Sequence, residues 1–276
     1  MRKKTLRSPR LARRAKEKAR WRTALFICAF TLFFVAILFL ATRSVFSIKE
    51  VTVSGAGEGL HDAIAELARA ELAGAYLSLI PKENAFAYPK WDIQEKILKQ
   101  FPRVEFVRAR LLSPSRLRIT VREREGAALW CASELPHTPN TEKCFRIDAS
   151  GVVFENAPQS ASGEYRIGEE GDDSIPPLGT RVLEESRLAA LLSFLRSLEA
   201  LSLVPRRLTL LSGGDVAAEV AGGGKILARE GADFLKQTNN LRGLLAEKDL
   251  VPRSAGNLRI DYIDLRHGNK LYFKPR

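Results

Sequence analysis

The chain has 276 residues, 45% apolar and 28% charged, a globular composition that excludes a short peptide, a fibre and a disordered polymer. Its 44 Lys and Arg against 32 Asp and Glu give a net +12, which suggests a nucleic-acid binder until the charge is located. Residues 1–22 hold eleven of the basic residues and one acid, Glu17, so +10 sits in this tail and +2 in the other 254 residues. With the charge confined to the tail and no aromatic residues interleaved, the pattern argues against a nucleic-acid interface.

The next twenty residues, 23–42 (TALFICAFTLFFVAILFLAT), contain no charge, Gly or Pro. At about 1.5 Å per residue such a helix is roughly 30 Å long, one bilayer core. Trp21 sits at the near edge, where an indole favours the interface. A basic flank before the span and a long, nearly balanced segment after it predict a cytoplasmic N-terminus and an external C-terminal part. A cleaved signal peptide shares this order, but its apolar region runs about 7–15 residues to a small-x-small site. Here the longer run continues into Arg43-Ser44-Val45-Phe46 without such a site, which favours an uncleaved anchor. The tail sets topology first; contact with anionic head groups is secondary.

After the anchor, residues 46–53 (FSIKEVTV) form a β-branched strand ending at Ser54-Gly55. Phe46 and Ile48 are out of phase with Val51 and Val53, so the strand begins near Lys49 or carries a bulge. Ile64, Leu67, Ala68 and Leu72 recur at helical spacing over 60–73. Pro81 and Pro89 bracket a loop, and Ile93, Ile97 and Phe101 mark a second helix that Pro102 stops. A strand over 104–112 follows, with a turn at Ser113-Pro114-Ser115. In the next strand Leu117, Ile119 and Val121 alternate with Arg116, Arg118, Thr120 and Arg122.

A second region follows without a flexible linker. Residues 127–131 and Cys144–Ile147 flank a stretch with Pro136, Pro139 and Asn140, a hairpin. Asp148-Ala149-Ser150-Gly151 is a turn into a strand at 152–154, and the polar, Gly- and Pro-rich 160–179 predicts a loop. Leu188, Leu191, Leu192, Leu195 and Leu198 line one face of a helix over 181–201. Strands over 206–211, Asp215–Val220 and Lys225–Arg229 are separated by Gly213-Gly214 and Gly222-Gly223-Gly224. Phe234, Thr238, Leu241 and Leu245 mark a last helix, and strands over 258–265 and 270–274 close around His267-Gly268-Asn269. The expectation is an α+β chain: a basic tail (1–22), a transmembrane helix (23–42), a β-α-α-β-β domain (43–125) and a mainly antiparallel β domain with two helices (126–276).

Catalytic patterns are missing from the sequence. His61, His137 and His267 lie in three different elements, and there is no Gly-x-Ser-x-Gly elbow and no Ser-x-x-Lys. Ser78 and Lys82 are separated by Pro81, which breaks the helix such a pair needs. Gly222-Gly223-Gly224-Lys225 fails as a phosphate loop, because Glu219 stands where the first Gly belongs and Ile226 where Ser or Thr would hold magnesium. Asp172-Asp173 and Glu184-Glu185 read as a solvated surface and a helix first turn. No enzyme, cofactor, metal or small-molecule substrate is expected. Cys28 lies within the span. Cys131 and Cys144 flank a turn in the external part, where a disulfide forms and persists. Free thiols, or a metal site with His137, are the alternatives; the metal lacks a fourth ligand and the short Cys-x-x-Cys spacing.

These features together resemble the bacterial division proteins of the FtsQ/DivIB family. Phe46-x-Ile48-x-x-Val51-x-Val53-x-Gly55 after one span is how their exported part begins. Phe101-Pro102-x-Val104, Ser113-Pro114-x-x-Leu117-x-Ile119-x-Val121 and Glu123-Arg124-Glu125 are similar to the last helix and hairpin of their POTRA domain. Ala128-Leu129-Trp130 and Ile147-Asp148-x-x-Gly151-x-Val153-Phe154 resemble the opening of their β domain, and Tyr262-Ile263-Asp264-Leu265-Arg266 its terminal strand. The chain departs from the family in a longer loop at 76–90, in Gly126 where a Pro is usual, and in the Cys131/Cys144 pair.

The resemblance implies a non-enzymatic scaffold of the division machinery, anchored in the cytoplasmic membrane at the septum. Its implied partners are FtsB- and FtsL-like coiled-coil proteins, through which it helps control septal cell-wall synthesis. It also implies partner contacts near the terminal hairpin, at Arg266, His267, Lys270, Leu271 and Tyr272. The apolar terminal strand Leu271-Tyr272-Phe273 can accept an added strand if it lies at a sheet edge; the alternative is that it packs inward while the following Lys and Pro protect the edge. Other readings are a POTRA-bearing protein of secretion or envelope assembly and a membrane-tethered hydrolase.

Overall fold

The structure, a computed structural model, describes residues 9–41, 46–132, 143–158, 163–171, 174–231, 234–246, 253–254, 257–258, 260–268 and 270–276. Thr42, Pro136, His137, Pro139, Asn140, the Asp172-Asp173 pair and Asn269 lie outside the described residues.

The first helix, α1 (Pro9–Ala41), contains a stretch, Lys18–Ala36, that is long and apolar enough to cross a membrane and has no buried residue. Within it the Thr31 hydroxyl donates to the Ile27 and Cys28 carbonyls at 3.0 and 2.9 Å, as an apolar surrounding favours. The chain divides into two compact units, Met1–Leu98 with Phe106–Arg122, and Lys99–Glu105 with Glu123–Arg276.

The first unit holds β1 (Glu50–Ser54), α2 (Leu60–Leu72), β2 (Ala75–Tyr76), β3 (Ile80–Pro81) and most of α3 (Lys90–Gln100), β4 (Val104–Ser113) and β5 (Arg116–Glu123). Its sheet runs β1-β5-β4, with β1 parallel to β5 from Glu50 opposite Arg116 to Ser54 opposite Thr120. The alternation in β5 holds: Leu117, Ile119 and Val121 are buried while Arg116, Arg118, Thr120 and Arg122 are exposed. Ile64, Ala68 and Leu72 of α2 and Ile93 and Ile97 of α3 are buried too, each large one stabilising by about 1.5–3 kcal/mol. The phase break before Val51 resolves as a strand that starts at Glu50, with Ser47 making a separate bridge to Asn84.

The loop between the two helices contains a small hairpin. Tyr76 lies opposite Ile80, and the Leu79 N–H donates to the Tyr76 carbonyl at 2.9 Å. Leu77 and Ser78 take φ of 49° and 59°, the left-handed conformation that hairpin turns usually give to Asn or Gly. An L residue with a branched side chain stands there at a cost of about 1–2 kcal/mol.

The second unit is built on a nine-stranded sheet. Its strands are β6 (Ala128–Cys131), β7 (Cys144–Ile147), β8 (Val153–Asn156), β9 (Arg166–Glu169), β10 (Pro205–Leu211), β11 (Asp215–Val220), β12 (Lys225–Arg229), β15 (Ile260–His267) and β16 (Lys270–Pro275). Two helices, α4 (Glu185–Ala200) and α5 (Phe234–Ala246), and a small hairpin of β13 (Arg253–Ser254) and β14 (Asn257–Leu258) complete it. The spatial order is β16-β15-β12-β11-β10-β9-β6-β7-β8. Antiparallel pairs predominate, with parallel joints at β15/β12, β10/β9 and β9/β6. Leu188, Leu191, Leu192, Leu195 and Leu198 are buried, and Phe194 stacks on Phe234 with ring centroids 4.7 Å apart.

Two expectations are corrected. Residues 160–179 are not wholly loop, because β9 lies inside them, parallel to both β6 and β10. Only Ile167 of this strand is a large, fully buried side chain, so no alternation marked it. Gly168 is there for close approach: a Cβ would sit 2.6 Å from the Cys131 carbonyl oxygen. The helix expected over 181–201 begins only at Glu185. Arg181 instead bridges Val152, and the Val182 N–H donates to the Gly151 carbonyl at 2.9 Å. A strand edge took those residues from the helix.

Candidate docking edge

The β15–β16 hairpin is one end of the large sheet, and among the described residues no strand pairs with the outer side of β16. Its side chains divide by face. Leu271 and Phe273 are half-buried against the core, while Lys270, Tyr272 and Lys274 are exposed, Tyr272 by 50%. Tyr272 lies opposite Asp264 and Lys274 opposite Tyr262, so one outer face carries both tyrosines. The register shifts by one residue between Ile260 and Tyr262. That bulge lets Ile260 and Ile263, three apart, both point into the core.

An ion-pair network stiffens this end. The Arg266 Nη2 and Nε donate to the two Asp264 carboxylate oxygens at 2.7 and 2.9 Å, a bidentate fork, and its Nη1 donates to Asp215 at 2.7 Å. Arg229 reaches the other Asp215 oxygen at 3.3 Å. The Arg266 hydrogen bond holds the Asp264 carboxyl below the usual carboxylate range, outweighing the burial that pushes the other way. Asp264 and then Asp215 raise the Arg266 guanidinium further above its already high value. The His267 Nε2 is 3.4 Å from Asp264, and its ring meets Tyr272 edge-on at 5.2 Å. Arg276 closes the end by donating to the Gly222 and Gly223 carbonyls at 3.3 and 2.6 Å.

The five residues singled out from the sequence thus have three different situations. Lys270, His267 and Tyr272 are accessible. Leu271 faces inward, and Arg266 is occupied within the fold by Asp264 and Asp215. Asp215 was not legible as part of this region, since it lies on β11 and meets Arg266 only across the sheet. Tyr262 was within a recognised strand, but its face follows from the bulge. Chemically the edge offers backbone groups for an added strand, a tyrosine pair beside it, and Lys270 as a flanking cation, while Lys274 donates to Asp261 at 2.9 Å within the hairpin.

Cys131 and Cys144 are register partners in β6 and β7 and are disulfide-bonded, with Sγ–Sγ 2.08 Å. A cleft of about 410 Å³ elsewhere in the second unit is lined by Tyr165, Arg166, Glu199 and Arg206 among others. Burial and a 2.7 Å hydrogen bond to Glu199 push the Tyr165 hydroxyl up to about 12, so it is protonated at neutral pH. Among the described residues no three His, Cys, Asp or Glu side chains group as metal ligands. Neither a protein-family model nor a curated protein matches the chain.

Proposed function

We propose that the protein is a bitopic scaffold of the bacterial division machinery, of the FtsQ/DivIB kind, that docks coiled-coil membrane partners on its terminal sheet edge. The observation that carries this reading is the open outer side of β16, with a half-exposed tyrosine beside it, in a chain that begins with a membrane-length helix. Apart from the short β2–β3 hairpin between its helices, the element order β1-α2-α3-β4-β5 supports the POTRA-like reading of this part. In this reading α1 is an uncleaved anchor, its basic tail cytoplasmic, and both units work outside the membrane at the septum.

The mechanism is strand addition. A partner segment pairs with the outer side of β16 through main-chain hydrogen bonds, which give affinity without demanding a particular sequence. Side chains of that segment on the outer face meet Tyr272 and Tyr262, the rigid amphipathic anchors that interfaces favour. Lys270 favours an acidic residue at one end of the added strand, whereas Lys274 is paired with Asp261. The same two lysines and Pro275 discourage unspecific edge-to-edge pairing. No group in this scheme needs to change its protonation state or a covalent bond.

Photo-crosslinking in growing cells tests it, with the crosslinker at Tyr272 and, for comparison, at Phe106 on β4, which is 46% exposed. Capture at Tyr272 of a small single-span coiled-coil protein is the expected result. No capture at Tyr272 together with capture of a secretion component at Phe106 would overturn the reading in favour of envelope transport.

A further inference from the structure

Beyond α1, the four most exposed large apolar side chains described in the first unit fall in one short stretch of sequence. They are Leu77 at 91%, Phe86 at 80%, Trp91 at 73% and Leu79 at 67%. Neither the turn nor the core asks for them. The hairpin tip puts a leucine at a left-handed position better suited to Gly or Asn, and it puts two leucines in water where polar residues would serve.

This segment is fastened to the first described residues after α1. The Ile48 N–H donates to the Glu83 carbonyl at 2.8 Å, and the Ala85 N–H donates to the Phe46 carbonyl at 2.8 Å. The Ser47 hydroxyl donates to the Glu83 carboxylate at 2.7 Å. The rings of Phe46 and Phe86 lie 5.2 Å apart. Five residue steps join Ala41 to Phe46, which at full extension is at most roughly 18 Å. A further turn, closed by the Asn84 N–H on the Pro81 carbonyl at 3.1 Å, reverses the chain between β3 and the Ser47–Asn84 bridge.

The cations nearby sit against aromatic rings: Lys82 Nζ is 5.7 Å from the Tyr76 ring centre and Lys90 Nζ is 5.1 Å from that of Trp91. Aromatic rings, exposed leucines and lysines are the composition of a membrane–water interface, with the lysines suited to anionic head groups.

We propose that the hairpin tip and Phe86 are a membrane-contact element that seats in the interfacial layer of the external leaflet. The proposal rests on α1 being an uncleaved anchor. The short tether singles out the bilayer as occupant: it keeps this loop within reach of the lipid surface whether or not a partner is present, so the contact is effectively intramolecular. With α1 it makes a second point of attachment and restricts how the first unit tumbles above the membrane.

The test uses the full chain with Cys28→Ala, leaving Cys131 and Cys144 bonded, in vesicles of phosphatidylethanolamine and phosphatidylglycerol. An environment-sensitive fluorophore is attached in turn at Leu79→Cys, at Phe86→Cys, at Arg110→Cys as an exposed comparison on β4, and at Phe30→Cys within the span. Lipids carrying a spin label near the head group then quench whatever lies in the interface. The expected result is quenching at Leu79→Cys and Phe86→Cys at least about threefold stronger than at Arg110→Cys. If both match Arg110→Cys while deep-labelled lipid quenches Phe30→Cys, the contact is refuted and the anchor stands. If Phe30→Cys is not quenched either, the anchor reading fails and takes the proposal with it. A blue shift at Leu79→Cys without lipid quenching would mean a second copy covers the loop instead, and would also refute it.

Discussion

The two ends of the nine-stranded sheet handle the same physical problem in opposite ways. At one end the start of β8 is capped on its outer side from within the chain. The Val153 N–H donates to the Thr180 carbonyl at 2.9 Å, the Gly179 N–H donates to the Val153 carbonyl at 2.7 Å, and Arg181 bridges Val152. Behind it the Asp148 carboxylate accepts from the Ser150 and Val152 N–H groups and pairs with Arg124. At the other end β16 has no outer neighbour among the described residues and carries a tyrosine and flanking lysines. A strand edge left open is an aggregation risk unless something occupies it. The closed end shows that this chain can cap an edge with its own residues, which makes the open one more telling as a docking surface.

The sharpest way to break the closed end is Asp148→Asn. It takes the carboxylate partner from Arg124, whose Nε keeps its hydrogen bond to the Pro102 carbonyl at 3.0 Å, and should cost roughly 3 kcal/mol in chemical denaturation. Burial works against the Asp148 charge, but the Val152 N–H, the Ser150 hydroxyl and Arg124 outweigh it and hold the pKa below the usual range. A lowered folded pKa means the contribution is complete above the ordinary carboxylate range and is lost as the pH falls through the folded value. The difference in melting temperature between wild type and Asp148→Asn should therefore shrink below about pH 4.

Next in size is the disulfide between the neighbouring strands. Replacing Cys131 and Cys144 together by Ala opens a loop with a sequence separation of 13 and should cost about 3 kcal/mol in the chain-entropy view, read from the denaturant midpoint. Gly151→Ala should cost roughly 2 kcal/mol, since Gly151 has φ of 76° and a Cβ there would meet the Leu183 carbonyl oxygen at 2.0 Å. Equal stability of this variant and wild type would mean that the capped edge is looser than described.

The open end should respond in the other currency. Tyr272→Ala should change stability by less than about 0.5 kcal/mol, as exposed substitutions usually do, while partner capture in cells falls at least about tenfold. Leu271→Ala, on the inner face, should do the reverse and cost about 1–2 kcal/mol. A Tyr272→Ala variant that unfolds but still binds would contradict the division of labour between the two faces.

How much of this was legible beforehand depended on burial pattern. Strands with clean alternation, β5 above all, and helices with a regular leucine face were recoverable from spacing, because one buried face imposes one period. β9 was not, since its place between two parallel neighbours depends on Gly168 and one isoleucine rather than on alternation. The start of α4 does not follow from spacing, because Arg181 and Val182 belong to a strand edge remote in sequence. At the candidate edge, the terminal strand and its exposed tyrosine were foreseeable from Leu271-Tyr272-Phe273. The capture of Arg266 by Asp215 was not, because nothing local marks a partner two strands away.

The most direct measurement is amide hydrogen exchange on β16 and β8, in the purified full-length chain and in membranes from cells where its partners are present. The account expects outward-facing amides of β16 to exchange at least about a hundredfold faster than the Val153 amide in the isolated protein, and to become protected in the native membranes. Protection of β16 in the isolated chain, or no gain of protection when partners are present, would contradict the claim that this edge is held open for an added strand.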